Sequence, residues 1–272
     1  GMPKFANENI RAADSDGDLL VQACSNDSQV CVHAIRNLNR IAMGTAKMRW
    51  SQTGYGRTSS TSVAQETPRN LFGFKDGTNN IKSEDGDAKL NEHLWVQKGD
   101  DSGADWMTGG TYFVVRKIHM FAEMWDNLRL IEQEQTFGRD KRYGAPLNVT
   151  APTSGKDEFK PIDFKAKNKE GELEVPADSH IAIVNPEQNK GRWMLRRGYN
   201  YTEGSDALGR LSAGLFFIAF VRDPRTNFYP ILDKMTQKDA LSEYLQHQAR
   251  ALFAIPAGIG QSDTMVGQAL FS

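Results

Sequence analysis

Cysteine is scarce: Cys24 and Cys31 are the only two in 272 residues. A single pair excludes a disulfide framework, and without a second Cys or His pair beside it no structural zinc site is completed. Both suit packing in or near a helix. Long apolar runs are missing as well. The longest, LSAGLFFIAFV at 211–221, reaches about half the ~20 residues of a membrane-spanning helix. The opening GMPKFANENIRAADSDGD lacks the apolar core of a signal peptide, so an exported protein carrying it is expected in processed or truncated form. Charge of one sign is lacking: 33 Lys and Arg face 34 Asp and Glu, for a net charge of -1. That balance argues against a chain built to grip nucleic acid or an anionic membrane. The 24 Gly and 10 Pro are scattered, with no repeat and no low-complexity segment.

What is present is a folded chain long enough to bury a core, 39% hydrophobic and carrying 14 Phe. Asp18 to Ala23 reads as a short strand, followed by a helix capped by Asn26 and Gln29 with Val30, Ala34, Leu38 and Ile41 on one face. Ala46 to Gln52 reads as extended, which makes this opening the second half of a split βαβ unit. A loop over 53–70 ends at LFGFKDGTNN, and TYFVVRKIHM at 111–120 is a strand by its β-branched and aromatic content. A helix is expected from Phe121 to about Gln135, with Phe121, Met124, Leu128 and Ile131 inward and Gly138 just beyond it. Residues 151–178 form an excursion longer than an ordinary connection.

Further on, Ile181 to Val184 and Trp193 to Arg196 are expected to be extended and Gly214 to Arg222 a central strand. Thr236 with Asp239 is expected to cap a helix presenting Leu241, Tyr244, Leu245, Gln248 and Leu252, before a final strand LFAIPAG. This order predicts an α+β, ferredoxin-like fold with two related antiparallel-sheet domains of the dimeric α/β-barrel type, the first incomplete. The expected division is 1–95, a partial N-terminal unit with the Asp76 segment, and 96–272, a complete C-terminal unit.

Three residues stand out chemically. His180, in ADSHIAIVNP, is either a satisfied structural histidine or the single protein ligand that a haem iron needs. Asp76, in GFKDGT, is either an Asp-Gly turn residue or a carboxylate held at a cavity edge to move a proton, with Gly73 and Gly77 permitting close approach. Arg196 and Arg197 point to opposite faces of an extended segment, and Arg196 shares the side of Met194. An enclosed arginine there needs a carboxylate or an anionic ligand.

The phrases GDLLVQAC, GFKDGTNN, FGRDKRYGAPL, DSHIAIVNP, MLRRGYNY and GLFFIAFVRD, in that order, resemble the C-terminal two thirds or so of a dye-decolorizing peroxidase. Within that family the chain is most similar to the exported haem peroxidase and deferrochelatase type associated with bacterial iron-transport operons. The resemblance implies haem b (iron protoporphyrin IX) as cofactor, His180 as its iron ligand, Asp76 as the distal carboxylate and Arg196 as the distal arginine. It places Gly77, Thr78 and Asn79 beside the haem near Asp76, and Asn185, Pro186 and Glu187 over it near His180. Leu215 and Phe217 are expected on the apolar distal wall, Phe217 foremost. Hydrogen peroxide and bulky one-electron donors are the implied partners, with Trp125, Trp193, Tyr199 or Tyr201 as candidate electron relays beside ordinary packing roles.

The resemblance also implies an exported, periplasmic or extracellular protein, iron-uptake membrane partners, a homo-oligomer and a further N-terminal stretch. Two alternatives remain: release of iron from haem at the same pocket, and a non-catalytic ferredoxin-like interaction domain.

Overall fold

The computed structural model describes residues 2–271. One antiparallel sheet organises it, built from β1 (Tyr55–Arg57), β2 (Thr111–Met120), β3 (Leu195–Arg196), β4 (Tyr199–Ser205), β5 (Leu211–Val221) and β6 (Leu245–Ile255). The strand order is β1-β4-β5-β2-β6, with β3 paired to the end of β5. The helices are α1 (Ser28–Ile41), α2 (Asp87–His93), α3 (Ala122–Asp126), α4 (Leu130–Phe137), α5 (His180–Val184), α6 (Pro224–Asn227) and α7 (Tyr229–Lys238). The α+β class and the antiparallel, ferredoxin-like sheet agree with the sequence pattern.

Alternation along β2 and β5 divides the core. Val114, Ala219 and Val221 pack with Phe228, Leu232 and Met2, and Phe217 and Met194 join them. Phe113, Val115, Ile218 and Ala251 pack on the opposite face with Leu20, Trp50 and Phe216. A third cluster, Phe72, Phe74, Trp125, Phe137 and Leu241, closes one end and receives Leu215.

Several local expectations are corrected. Residues 18–23 and 46–52 form no strand, although Leu20 and Trp50 still cover the sheet. Asp27, one residue after Asn26, caps α1 by accepting the Gln29 N–H at 2.8 Å. The α1 stripe exists but is not covered by described residues: Val30, Leu38 and Ile41 are all exposed. The helix expected over 121–135 is two helices, because the Glu132 carboxylate turns back to accept the Arg129 N–H at 2.8 Å and starts a new one. Trp125, Gln133 and Phe137 take the interior, while Met124 and Ile131 are exposed.

Residues 180–184 are helical, not extended. Ile181, Ala182 and Ile183 are all buried, so their apolar run carries no period to separate helix from strand. The largest correction lies near the C-terminus. Asp239 caps only the short 3-10 turn Ala240–Tyr244, the α-helix precedes it as α7, and 245–255 is strand, with His247, Ala249 and Ala251 buried at alternate positions. Of the expected final strand LFAIPAG, residues 252–255 are the end of β6, and 256–258 lie outside it.

Candidate active site

Asp76 leaves the Asn70–Phe74 turn, in which the Asn70 side-chain oxygen accepts the N–H groups of Phe72 and Phe74. Its own N–H donates to Pro68 O at 2.9 Å. Gly77 follows at φ +103°, and a Cβ there would stand 2.6 Å from Ser59 Cα, so only glycine lets the two loops pass. The Asp76 carboxylate accepts from Arg196 Nη1 at 2.7 Å. This ion pair between residues 120 positions apart, about one-fifth exposed on each side, replaces the turn-forming role open to an isolated Asp-Gly.

Arg196 lies opposite Ala219 in the ladder and therefore shares the sheet face of Ala219 and Phe217. Arg197 goes the other way and donates to the Tyr199 hydroxyl at 3.1 Å. The buried Asn80 fixes the Arg196 backbone twice, its Oδ1 accepting the Arg196 N–H at 2.8 Å and its Nδ2 donating to Arg196 O at 3.0 Å. The other Asn80 donor bond reaches Ser60 O at 2.8 Å.

His180 opens α5. Its Nδ1 lies 2.7 Å from Oδ2 of Asp239, whose side chain is fully buried. The other Asp239 oxygen accepts the Leu241 N–H at 2.9 Å. A carboxylate at Nδ1 selects the tautomer with the proton on that nitrogen and leaves Nε2 as a lone-pair donor. Nε2 has no partner among the described residues. Phe137 meets the imidazole edge-on at 6.0 Å, and Gly138 ends α4 at φ +79° directly beneath Ser179 and Ile181.

A cleft of about 210 Å³ joins the two halves: Thr78 and Asn79, just after Asp76, face Asn185, Pro186 and Glu187, just after α5, with Arg139 at its wall. Thr78 donates its hydroxyl to Glu158 at 2.6 Å, and Asn79 O accepts from Arg196 at 3.4 Å. Asn185 caps the turn Pro186–Asn189 by accepting the Glu187 N–H. Phe217 stacks against Phe228 at 5.9 Å on the Arg196 side of the sheet. Of the relay candidates, Trp125 is wholly buried among Phe72, Phe74, Phe137 and Tyr244, and Trp193 lies under Lys89.

The other histidines are placed otherwise. His33 is exposed on α1, His93 is buried against Asn227, and His119 packs on Phe121. His247 is no part of a polar helix face. It sits buried in β6 and accepts from Arg116 Nε at 3.1 Å, and burial with the adjacent guanidinium lowers its pKa to about 3. Among the described residues no three His, Cys, Asp or Glu side chains gather as a metal cluster.

The model for the C-terminal part of Dyp-type peroxidases matches residues 67–260, and the model for their N-terminal part matches 1–56. The chain belongs to the Dyp-type peroxidase family. It is 34% identical over 258 residues to a dye-decolorizing peroxidase of Thermobifida fusca, covering 94% of this chain and 58% of that protein. It is also 34% identical to a deferrochelatase of Escherichia coli K12, covering 99% of this chain and 62% of that protein. The chain thus spans about three fifths of the curated relatives it matches. Among solved structures, ferric DtpA from Streptomyces lividans superposes with a TM-score of 0.89 at 37% identity, covering 99% of this chain and 70% of that one. A DyP-type peroxidase from Cellulomonas bogoriensis does so with a TM-score of 0.85 at 33% identity, covering 98% and 70%.

Asp239 and Asn80, which hold His180 and Arg196, are the residues of the candidate site that sequence reasoning missed. Asp239 was legible as a cap, and it is one. Its second oxygen serves a histidine 59 positions away, a pairing that no local pattern encodes.

Proposed function

We propose that the protein is a haem-dependent peroxidase that reduces hydrogen peroxide at the expense of dyes or other bulky one-electron donors. The observation that carries this reading is the His180–Asp239 couple, which leaves a single imidazole nitrogen unpartnered, set in a fold that also pairs Asp76 with Arg196. An iron porphyrin fits this donor set: one imidazole with an oriented Nδ1 proton suits haem ligation, whereas zinc or non-haem iron would take more protein ligands. His180 would hold the iron, with Gly77, Thr78, Asn79, Asn185, Pro186 and Glu187 around the ring and Phe217 on the apolar wall.

Haem, when bound, supplies the metal centre and the redox capacity of the reaction. The chain's own residues supply the rest. Asp76 accepts a proton from the peroxide O–H and delivers it to the departing oxygen, which leaves as water. Arg196 holds that carboxylate and stabilises negative charge as the O–O bond breaks. Asn80 keeps the guanidinium in place through the Arg196 backbone, and Asp239 keeps the His180 ring in the metal-binding tautomer.

Three variants test the assignment. His180→Ala should lose the histidine-ligated haem spectrum. Asp76→Asn and Arg196→Leu should keep it while slowing the first peroxide-dependent absorbance change in stopped flow by about 10²-fold or more. Because both act on one peroxide, the double variant should fall short of the product of the two losses. Unchanged rates in both single variants would remove them from the chemistry.

A second reading, release of iron from haem at the same pocket, is supported by relatives named deferrochelatase at the same identity as the named peroxidase. Measuring chelatable iron and peroxide turnover in parallel on one haem-loaded sample separates the two. The proposal extends to an exported, periplasmic or extracellular protein linked to membrane-bound iron uptake, to self-association, and to the division 1–95 and 96–272.

A further inference from the structure

Arg139 is the one buried cation at the cleft that no carboxylate of the protein answers among the described residues. It is only 7% exposed, yet it enters no ion pair there. Its Nη1 donates to two backbone carbonyls, Gly144 O at 2.6 Å and Glu158 O at 3.0 Å, and its Nε and Nη2 have no partner among the described residues. Glu158, the nearest acid, is already engaged by Lys75 Nζ at 2.7 Å and by the Thr78 hydroxyl at 2.6 Å. Burial lowers the Arg139 pKa to about 10, with the Arg196 charge adding to the effect and the Glu158 carboxylate offsetting only part of it.

An unpaired guanidinium in such a place is costly unless an anion completes it. The two carbonyl bonds fix one end of the fork and leave the other end for a ligand oxygen. Arg139 lines the cleft into which the segments following Asp76 and His180 both open. A flat ligand held between those segments would present one edge there. Iron protoporphyrin carries its two carboxylates on a single edge. Lys160 also borders the cleft, although Asp157 already pairs with it at 2.8 Å, and the acidic Glu187 at the rim is exposed to solvent.

We propose that Arg139 is a carboxylate-binding residue of this site, its free donors receiving a carboxylate of haem and so setting the ring's rotation and retention. The proposal rests on the haem reading above and deepens it. It needs no redox or covalent step.

The test compares haem with its dimethyl ester, which has the same ring and iron but no carboxylate charge. Each is titrated into the apo protein by Soret absorbance, and release is followed by transfer to apomyoglobin. The wild-type protein should hold haem about ten- to a hundredfold more tightly than the ester. Arg139→Gln keeps an amide to serve the Gly144 and Glu158 carbonyls. It should release haem about tenfold faster, bind the ester unchanged and lose most of the preference. Equal wild-type affinity for the two ligands overturns the proposal even if the variant fails to fold, and so does a full preference retained in folded Arg139→Gln. If haem and ester bind alike while benzoate binds the haem-loaded protein through Arg139, the carboxylate belongs to a donor molecule and the assignment to haem is wrong. A His180-dependent Soret band that persists through any of these outcomes leaves the peroxidase reading standing. Its absence removes both.

Discussion

Asp239 divides its carboxylate between a backbone N–H that shapes the turn into β6 and the His180 imidazole of the candidate site, so one side chain serves both the fold and that histidine. Replacing it by Asn keeps an oxygen for Leu241 but sets an amide NH2 donor where His180 Nδ1–H needs an acceptor. Asp239→Asn should therefore fold, lower haem affinity by about 10- to 100-fold and lower the iron–histidine stretching frequency in resonance Raman. A separate titration concerns His247, buried against Arg116, which also binds Glu8. Its folded pKa of about 3 lies below the ordinary histidine value of about 6.5, so the unfolded chain takes up the proton first. The stability it contributes is complete above about pH 6.5 and is lost progressively as the pH falls toward 3. Urea unfolding should show a loss on the order of 2–3 kcal/mol between pH 7 and pH 4.5 that is absent from His247→Gln. At this scale Asp76, Arg196 and His180 were legible because each stands in a compact phrase. Asn80, Asp239 and Arg139 were not, since their roles depend on partners far along the chain or on a cleft that several segments build together.

The elements most legible in the sequence are those with an unambiguous period. β2 and β5 are long, β-branched and aromatic, and α1 has its stripe, with its cap at Asp27 one residue after the Asn26 expected. The misread elements have two physical causes. Burial on every side erases the polar face that a period needs, as in α5, with Ile181, Ala182 and Ile183 all enclosed. The segment 245–255 does alternate, but its inward residues at every second position also satisfy parts of a helical spacing. One consequence at this scale can be measured directly. Gly138 ends α4 in a left-handed conformation, and a Cβ there would meet Ile181 Cγ1 and Ser179 Oγ, both at 2.7 Å. Gly138→Ala should cost about 1–3 kcal/mol in thermal or urea unfolding. Because the strain falls on the residues flanking His180, the variant should also broaden the haem absorption band, whereas Gly171→Ala, at a comparable φ with nothing within 4 Å, should leave the band unchanged.

Across the whole molecule, the sheet keeps two kinds of work apart. One face carries Arg196 and Phe217 of the candidate site, and the other is packed by Leu20, Trp50 and their neighbours. The exposed Val30, Leu38 and Ile41 on α1 make self-association through that helix the expected behaviour of the isolated chain. Light scattering should find an oligomer that Leu38→Lys with Ile41→Lys dissociates while the haem spectrum is preserved. A monomer in the unmodified chain would overturn this expectation. The class of the fold was readable from the order of strands and helices. The way residues before β1 cover a sheet they hardly join was not, because that cover is made by loops whose register no alternation records.

The segment ahead of α1 has one more effect. It runs beside β6, where Asn9, Arg11 and Asp16 donate their N–H groups to His247, Gln248 and Arg250. The outer border of β6 is therefore already occupied along 247–250. The opposite border carries only the three-residue β1, beyond which β4 ends in Thr-Glu-Gly-Ser with the charged Glu203. Neither margin offers a foreign strand a long, flat row of vacant main-chain groups, so amyloid-like templating is disfavoured at both.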